Sequence, residues 1–308
     1  MSKKNIYLGI ALIALSFVAY FYASYWPEWK QERKQPKNFL ANINMDVVDI
    51  AEISGNGKTF LLEKSDGRWK ISGTKDFYVE DALSARLLSV LKEAQKAALE
   101  LASENKDRKK EFGIIDGAGA QVKLRQGDKV LAEFSIGDSA DNYASAYVSP
   151  SGSDQTFLIK AALNELFVRD DWHDKRIFLS DKDRITKIRF QYPKSEFRVE
   201  KSGETWAGVA PSRFAVSKDK IVEIAGIMAS MTAVEIPKQD FAGTGLEKSP
   251  IIVQATGDNI DNTIMIGNSL KSESGEEYYY AKKSASDNIY LITKKDRDLL
   301  NRTIRDLK

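Results

Sequence analysis

The chain has 308 residues and no Cys, and its 46 Lys and Arg against 44 Asp and Glu give a formal net charge of +2. Such an even balance provides no field that attracts nucleic acid, so we predict no nucleic-acid partner. The lack of Cys excludes disulfides, thiolate catalysis, Cys-ligated zinc and a lipidated cysteine as an anchor.

A long uncharged run at residues 6–25 predicts a membrane-spanning helix. About 20 such residues cross roughly 30 Å of hydrocarbon as a helix. Tyr and Trp residues cluster at its far end, where amphipathic rings favour the headgroup region. A signal-peptidase site needs small residues at alternate positions, whereas Ala23 has Phe21 two places before it. We therefore predict that residues 1–27 form a cytoplasmic tip and an uncleaved signal anchor in the lipid bilayer.

The orientation of this anchor is predicted from the length of the region that follows it. Basic residues stand on both sides of the helix (Lys3 and Lys4 before it; Lys30, Arg33, Lys34 and Lys37 after it), so their bias nearly cancels. A long domain behind an N-terminal helix translocates largely regardless of charge. We expect a single-pass protein of the cell inner membrane with its C-terminal region extracytoplasmic, in the periplasm.

An α+β unit is predicted over residues 45–180, after a charged juxtamembrane stalk at residues 28–44. Alternating apolar residues in DVVDIAEI and FLLEKSDGRWKISG predict two or three antiparallel strands. Leucines three and four residues apart predict a helix over Val79–Gln95. Strands are predicted again at AQVKLRQGDKVLAEFSIG, ASAYVSP and QTFLIK, with a hairpin turn at Gly127-Asp128. A second helix near Ala161–Val168 closes the unit.

The same order of elements recurs in residues 181–308, which predicts a second copy of the unit. The second helix pattern spans Ser217–Met231. Short segments recur in the same order around it: Gly67-Arg68-Trp69 as Glu204-Thr205-Trp206, Phe112-Gly113-Ile114 as Thr244-Gly245-Leu246, Ser135-Ile136-Gly137-Asp138 as Met265-Ile266-Gly267-Asn268, and Thr156–Ile159 as Ile289–Ile292. We interpret Gly137 and Gly267 as positive-φ positions at strand ends, and Trp69 and Trp206 as apolar side chains packed beside the helix.

No cluster of residues specifies a reaction. The GNGKT segment at residues 55–59 imitates a phosphate-binding loop, but Glu52 stands where a Gly is needed and strands flank both sides, so a hairpin turn is favoured. Asp170, Asp171 and Asp174 surround His173, the only histidine, and could hold a divalent cation if the segment were helical. A solvated helix end or an interdomain salt-bridge patch is the favoured interpretation.

Catalytic arrangements are not recognisable elsewhere. There is no G-x-S-x-G, a Ser-Lys pair is left open, and paired carboxylates cannot be placed. The mixed-charge run Glu104–Glu111 is interpreted as a solvated connection. Tyr278, Tyr279 and Tyr280 should alternate faces of a strand, with sheet packing favoured over a partner surface. We predict no catalytic, cofactor-binding or metal-binding residues.

The motifs DGRWKI, FGI, FSIGDS, FLIK and RDDWHDKRIF resemble the family called domain of unknown function 4340, in two tandem copies of which the second is looser. The resemblance implies a membrane-tethered extracytoplasmic protein that is an accessory or scaffold partner of a gliding-motility-type ABC transporter complex. It implies no catalytic residues. We therefore expect a binding or scaffold protein without cofactors and without enzymatic activity. The alternative is an envelope-localised hydrolase with an unrecognised active site, which the Asp170–Asp174 cluster motivates.

Overall fold

The computed structural model describes residues 13–20, 36–73, 75–114, 119–140, 144–248 and 251–308. Residues 13–20 are helical (α1) and their side chains are exposed. The rest of the predicted anchor at residues 6–25 lies outside the described residues, as does the first part of the predicted stalk. In the part of the chain that is described, no helix is both long and apolar enough to cross a membrane.

Two eight-stranded antiparallel sheets form the framework of the described chain. The first has the order β3-β2-β1-β5-β6-β7-β8-β4 and comprises β1 (Ile50–Gly55), β2 (Lys58–Ser65), β3 (Arg68–Ile71), β4 (Leu99–Ser103), β5 (Ala120–Gln126), β6 (Lys129–Ser139), β7 (Ala146–Pro150) and β8 (Thr156–Ile159). The second has the order β12-β11-β10-β9-β13-β14-β15-β16 and comprises β9 (Ile185–Tyr192), β10 (Ser195–Ser202), β11 (Thr205–Ala210), β12 (Phe214–Ala215), β13 (Ile251–Gly257), β14 (Ile260–Lys271), β15 (Glu277–Lys283) and β16 (Tyr290–Thr293).

Few helices accompany these sheets. They are α2 (Asp81–Lys96), α3 (Leu163–Phe167), α4 (Lys218–Ala229), α5 (Lys294–Leu300) and α6 (Ile304–Leu307), with short 3₁₀ helices η1 (Met45–Val47), η2 (Lys106–Phe112) and η3 (Lys182–Arg184). The predicted α+β class is therefore confirmed. The helices predicted over 79–95, 161–168 and 217–231 are present within a few residues of their predicted bounds.

Seven strands follow one another in the same order in both sheets (β3-β2-β1-β5-β6-β7-β8 and β11-β10-β9-β13-β14-β15-β16). The eighth strand stands at opposite edges, β4 beside β8 and β12 beside β11. β4 follows α2 and pairs with β8 at the sheet edge, and the segment after α4 pairs with β16 through Glu235 and Leu291. In both sheets, the segment that follows the long helix therefore returns to the edge formed by the last strand, β8 or β16.

The chain divides into two compact units: residues 1–62 with 84–170, and residues 63–83 with 171–308. The predicted boundary between residues 180 and 181 lies where the order of elements begins to repeat. The compact units are instead defined by contacts between residues, and they assign residues 63–83 to the second unit. In the second unit, the main-chain N–H of Asp76 donates to Asn288 Oδ1 (3.2 Å), and Asn288 Nδ2 donates to the Asp76 carbonyl (3.1 Å). These bonds join residues far apart in sequence.

The second unit buries one face of its sheet under α4. Ile188, Phe190 and Val253 alternate with polar residues along their strands and are completely buried, as are Ile224 and Met228 in the helix. Each such side chain contributes about 1.5–3 kcal/mol when it is fully removed from water. Trp206 belongs to the same core, and Trp69 is also buried, so the interpretation of both tryptophans as buried apolar side chains is confirmed.

The interpretation of Gly137 and Gly267 as positive-φ residues at strand ends is wrong. Neither has a positive φ, and both lie inside long strands, β6 and β14, where the pairing register shifts. A Cβ on Gly137 would stand 1.9 Å from the carbonyl oxygen of Phe112, and one on Gly267 would stand 2.1 Å from that of Thr244. Glycine is required because another stretch of backbone crosses directly over the strand.

Candidate functional site

The segment around the single histidine is extended, not helical. His173 forms an antiparallel bridge with Val79, and the N–H of Asp174 donates to the Tyr78 carbonyl (2.7 Å). The segment therefore lies along residues 76–79, which pair on their other side with β3. The predicted solvated helix end is wrong because these backbone groups are satisfied by strand-like pairing.

His173 is held in place by its neighbours in the second unit. Its Nδ1 lies 2.5 Å from Asp171 Oδ1, and its ring meets the Phe77 ring edge-on with 5.1 Å between centroids. Only 11% of its side chain is exposed. Asp171 also pairs with Lys175 (3.0 Å). An imidazole oriented by a carboxylate and packed on an aromatic ring has a clear structural role here.

Asp174 anchors a second group of charges. Its carboxylate accepts from Arg176 Nε (2.8 Å) and Nη2 (2.6 Å), a two-point contact that holds both groups in one geometry. Arg176 also reaches Asp81 (3.2 Å), which in turn lies 3.5 Å from Arg68. Burial acts to raise the pKa of Asp174, but hydrogen bonds from Arg176 outweigh it and hold that pKa below its usual range.

The four residues considered for a metal site are not assembled into one. Asp170 belongs to the first unit, where its carboxylate accepts from Asn56 Nδ2 (3.0 Å). Asp171 and Asp174 are engaged by Lys175 and Arg176. Among the described residues, no group of three or more His, Asp or Glu side chains is arranged to hold a metal ion.

A small pocket of about 320 Å³ adjoins the Asp174 network within the second unit. Its lining includes Asp76, Lys283 and Tyr290 together with Arg68 and Arg176. Burial raises the pKa of Tyr290, so its hydroxyl stays protonated. Charges of both signs meet here and largely compensate each other, which suits structural pairing better than acid–base catalysis.

Loss of stability in acid is expected to depend partly on Asp171. Burial acts to raise its pKa, but hydrogen bonds from His173 and Lys175 hold it well below its usual range. Because the folded-state pKa is depressed, the stabilisation is present above about pH 4 and is lost as pH falls through the folded-state pKa. Asp171→Asn should therefore cost about 1–3 kcal/mol at pH 7, with most of that loss still present at pH 3 and clearly less at pH 2, closer to the depressed folded-state pKa.

Urea denaturation of the full chain at pH 7, 4 and 2 measures this difference. Asp128→Asn, which changes a fully exposed carboxylate in a turn, is the matched control and should have little effect at any of these pH values. An Asp171→Asn loss that is equally large at pH 2 and pH 7 would contradict the assignment.

The other two segments considered have ordinary structural roles in their strands. GNGKT forms the β1–β2 hairpin, in which Asn56 and Gly57 both have positive φ, so the hairpin prediction is confirmed. Tyr279 packs against the core of the second unit and lies under Arg297 (4.9 Å). Tyr278 instead bonds to Glu276 at the surface, so the tyrosines alternate as predicted.

Two lysines in the run interpreted as a solvated connection have neighbours that the sequence did not indicate. Lys106 and Lys109 lie in η2 and line a pocket together with the GNGKT hairpin. The available local signal was Asn105, whose side chain accepts from the Asp107 N–H at the start of η2 (2.8 Å). That signal predicts a helical turn but gives no information about the hairpin opposite it.

The fold and these sites define an α+β protein of two antiparallel sheets whose polar clusters consist mainly of compensating ion pairs. The family model described as Domain of unknown function (DUF4340) matches residues 69–248. Since this is more than half of the chain, the protein belongs to that family. The matched stretch begins in β3 and ends before β13, so it includes parts of both sheets. No curated protein and no solved structure matches the chain.

Proposed function

We propose that the protein is a membrane-anchored extracytoplasmic binding or scaffold subunit of an ABC-transporter-type membrane complex. The observation that carries the proposal is the pair of sheets that share the order of seven strands. We infer that they arose as two copies of one unit, as the recurring segments of the sequence indicate. Two copies of one sheet offer two related surfaces, an arrangement suited to organising partners.

The polar face of the second sheet supports a role in binding. Arg189 and Glu196 form a two-point contact there (2.8 and 2.7 Å), and Arg198 lies 3.0 Å from Glu200. These side chains remain partly exposed. Compensated charges of this kind contribute little to stability, but they are available to fix the register of a docked protein.

The alternative, an envelope-localised hydrolase, is motivated by the hydrogen-bonded pair of Asp171 and His173. An orienting carboxylate on an imidazole is one component of a nucleophilic site. The edge-on packing of His173 on Phe77, however, gives this ring a structural role without any reaction. We therefore place the hydrolase second.

Affinity purification of the full chain from native membranes in mild detergent is expected to recover other membrane subunits at stoichiometric levels. Mass spectrometry identifies them. A variant lacking residues 1–29 is the control, and it should lose these partners if the N-terminal segment tethers the protein beside them. Recovery of the protein alone, both before and after crosslinking, would contradict the proposal and direct attention to the hydrolase.

A further inference from the structure

A polar pocket of about 630 Å³ in the first unit has an unusual charge distribution. Its lining contains the β1–β2 hairpin with Lys58, the η2 residues Lys106 and Lys109, and the sheet residues Gln121 and Ser135. Among the described residues that line it, every charged side chain is a lysine. The volume is in the range of small-ligand sites.

Two of the lysines in this pocket donate to neutral main-chain groups. Lys58 Nζ donates to the main-chain carbonyl of Asp170 (3.1 Å), and Lys109 Nζ donates to that of Ser153. Both acceptors are neutral, and each ammonium has three donors. Neither of these two contacts pairs an ammonium group with a carboxylate.

Some other cations of the same unit are paired with carboxylates. Arg86 lies 2.7 Å from Glu165, and Lys92 lies 2.6 Å from Asp46. The pocket instead brings three lysines together along one lining. Burial and the charge of Lys106 both lower the pKa of Lys109, although the nearby carboxylate of Asp154 opposes them. A bound anion would relieve the repulsion between these two lysines.

Neutral donors complete the lining. Ser54 Oγ and Thr59 Oγ1 are hydrogen-bonded to each other (2.9 Å) on the hairpin, and the lining also includes Ser135 and Gln121. Hydroxyl and amide groups beside lysines provide several donors for an anion with many oxygens. Lysine acts as a point charge in phosphate recognition and needs no planar fork.

We propose that this pocket binds a phosphate group, with Lys58, Lys106 and Lys109 supplying the charge and the hairpin hydroxyls supplying further donors. Because strands flank the hairpin on both sides, this is a binding site without the strand–loop–helix geometry of a nucleotide-hydrolysing loop. The inference does not depend on the proposed scaffold role, since it concerns one pocket of the first unit. The group can be carried by a soluble ester or by a lipid headgroup.

Isothermal titration of the full chain in mild detergent tests the site with three probes: inorganic phosphate, pyrophosphate and glycerol 3-phosphate. We expect saturable binding of at least one probe, weakened at least tenfold in the triple variant K58Q/K106Q/K109Q. The matched control is K96Q/K110Q/K129Q, which removes the same charge from exposed lysines of the same unit outside the pocket. The control should bind as the unaltered protein does.

The relative affinities of the probes identify the source of the phosphate group. If glycerol 3-phosphate binds more tightly than inorganic phosphate, a phosphate ester or a lipid headgroup is supported. If pyrophosphate binds most tightly, a soluble phosphate is supported. If both triple variants lose the same affinity for the probes, the effect is one of nonspecific charge and the proposed site is overturned. The site is also overturned if none of the three probes binds at millimolar concentration. Circular dichroism of both triple variants confirms that they are folded, and copurification of partners is measured separately.

Discussion

Gly137→Ala is expected to destabilise the protein by about 3 kcal/mol, at the upper end of the cost of overpacking a well-packed interior. The added Cβ would stand 1.9 Å from the Phe112 carbonyl oxygen and 3.0 Å from the Gly113 carbonyl carbon. Both obstacles are backbone atoms, which cannot turn aside as a side chain can. Relief requires a shift of the segment at residues 112–113 or of β6, and β6 pairs with strands on both sides.

Urea denaturation followed by circular dichroism measures this loss. Gly226→Ala is the matched control, because Gly226 lies inside α4 and a Cβ there meets no atom within 4 Å. Alanine favours a helix over glycine by about 1 kcal/mol, so the control should be neutral or stabilising. Similar midpoints for Gly137→Ala and the unaltered protein would show that the crossing backbone yields easily, and the close approach would then not explain the glycine.

Trp172→Ala is expected to cost about 3–5 kcal/mol, the usual range for removing a large buried aromatic side chain. Trp172 is completely buried and is among the largest fully buried side chains of the described chain. It lies between Asp171 and His173, so the loss of its packing should also loosen the segment that pairs with Val79. The effect should therefore include greater protease sensitivity of the second unit.

Trp172→Phe is the graded comparison for this experiment. It keeps an aromatic ring in the core and should lose less than half as much stability as the alanine variant, because the remaining cavity is smaller. Urea midpoints from circular dichroism are preferable to fluorescence, since the substitution removes one of five tryptophans. Equal and small losses in both variants would show that the surroundings collapse around the site without cost.

Local sequence patterns correctly predicted the helices and turns whose conformation depends on their own residues. The leucine spacing predicted a helix over 79–95, and the structure has one at Asp81–Lys96. The GNGKT hairpin followed from turn residues between two alternating segments, and its Asn56 and Gly57 have the positive φ that such a turn requires. These predictions succeeded because period and turn chemistry act over a few residues.

The roles of single residues within those elements were harder to predict from the sequence. The recurrence of Gly137 and Gly267 was visible in the sequence, but its cause was assigned to the wrong backbone conformation. The cause lies about two dozen residues earlier, in the backbone that crosses each strand at Phe112 and Thr244. A glycine needed for close approach and a glycine needed for positive φ look the same in a single sequence.

The sequence by itself determined the α+β class, most of the order of strands and helices, the recurrence of segments and the family resemblance, but it did not predict β4 or β12. Only the tertiary structure decided that His173 lies in an extended segment beside Val79, and that Lys58 shares a pocket with Lys106 and Lys109. The physical reason is the range of the interactions. Periodicity and turn propensity are local, whereas burial, ion pairing and the approach of separate backbone segments depend on contacts between residues far apart in the chain.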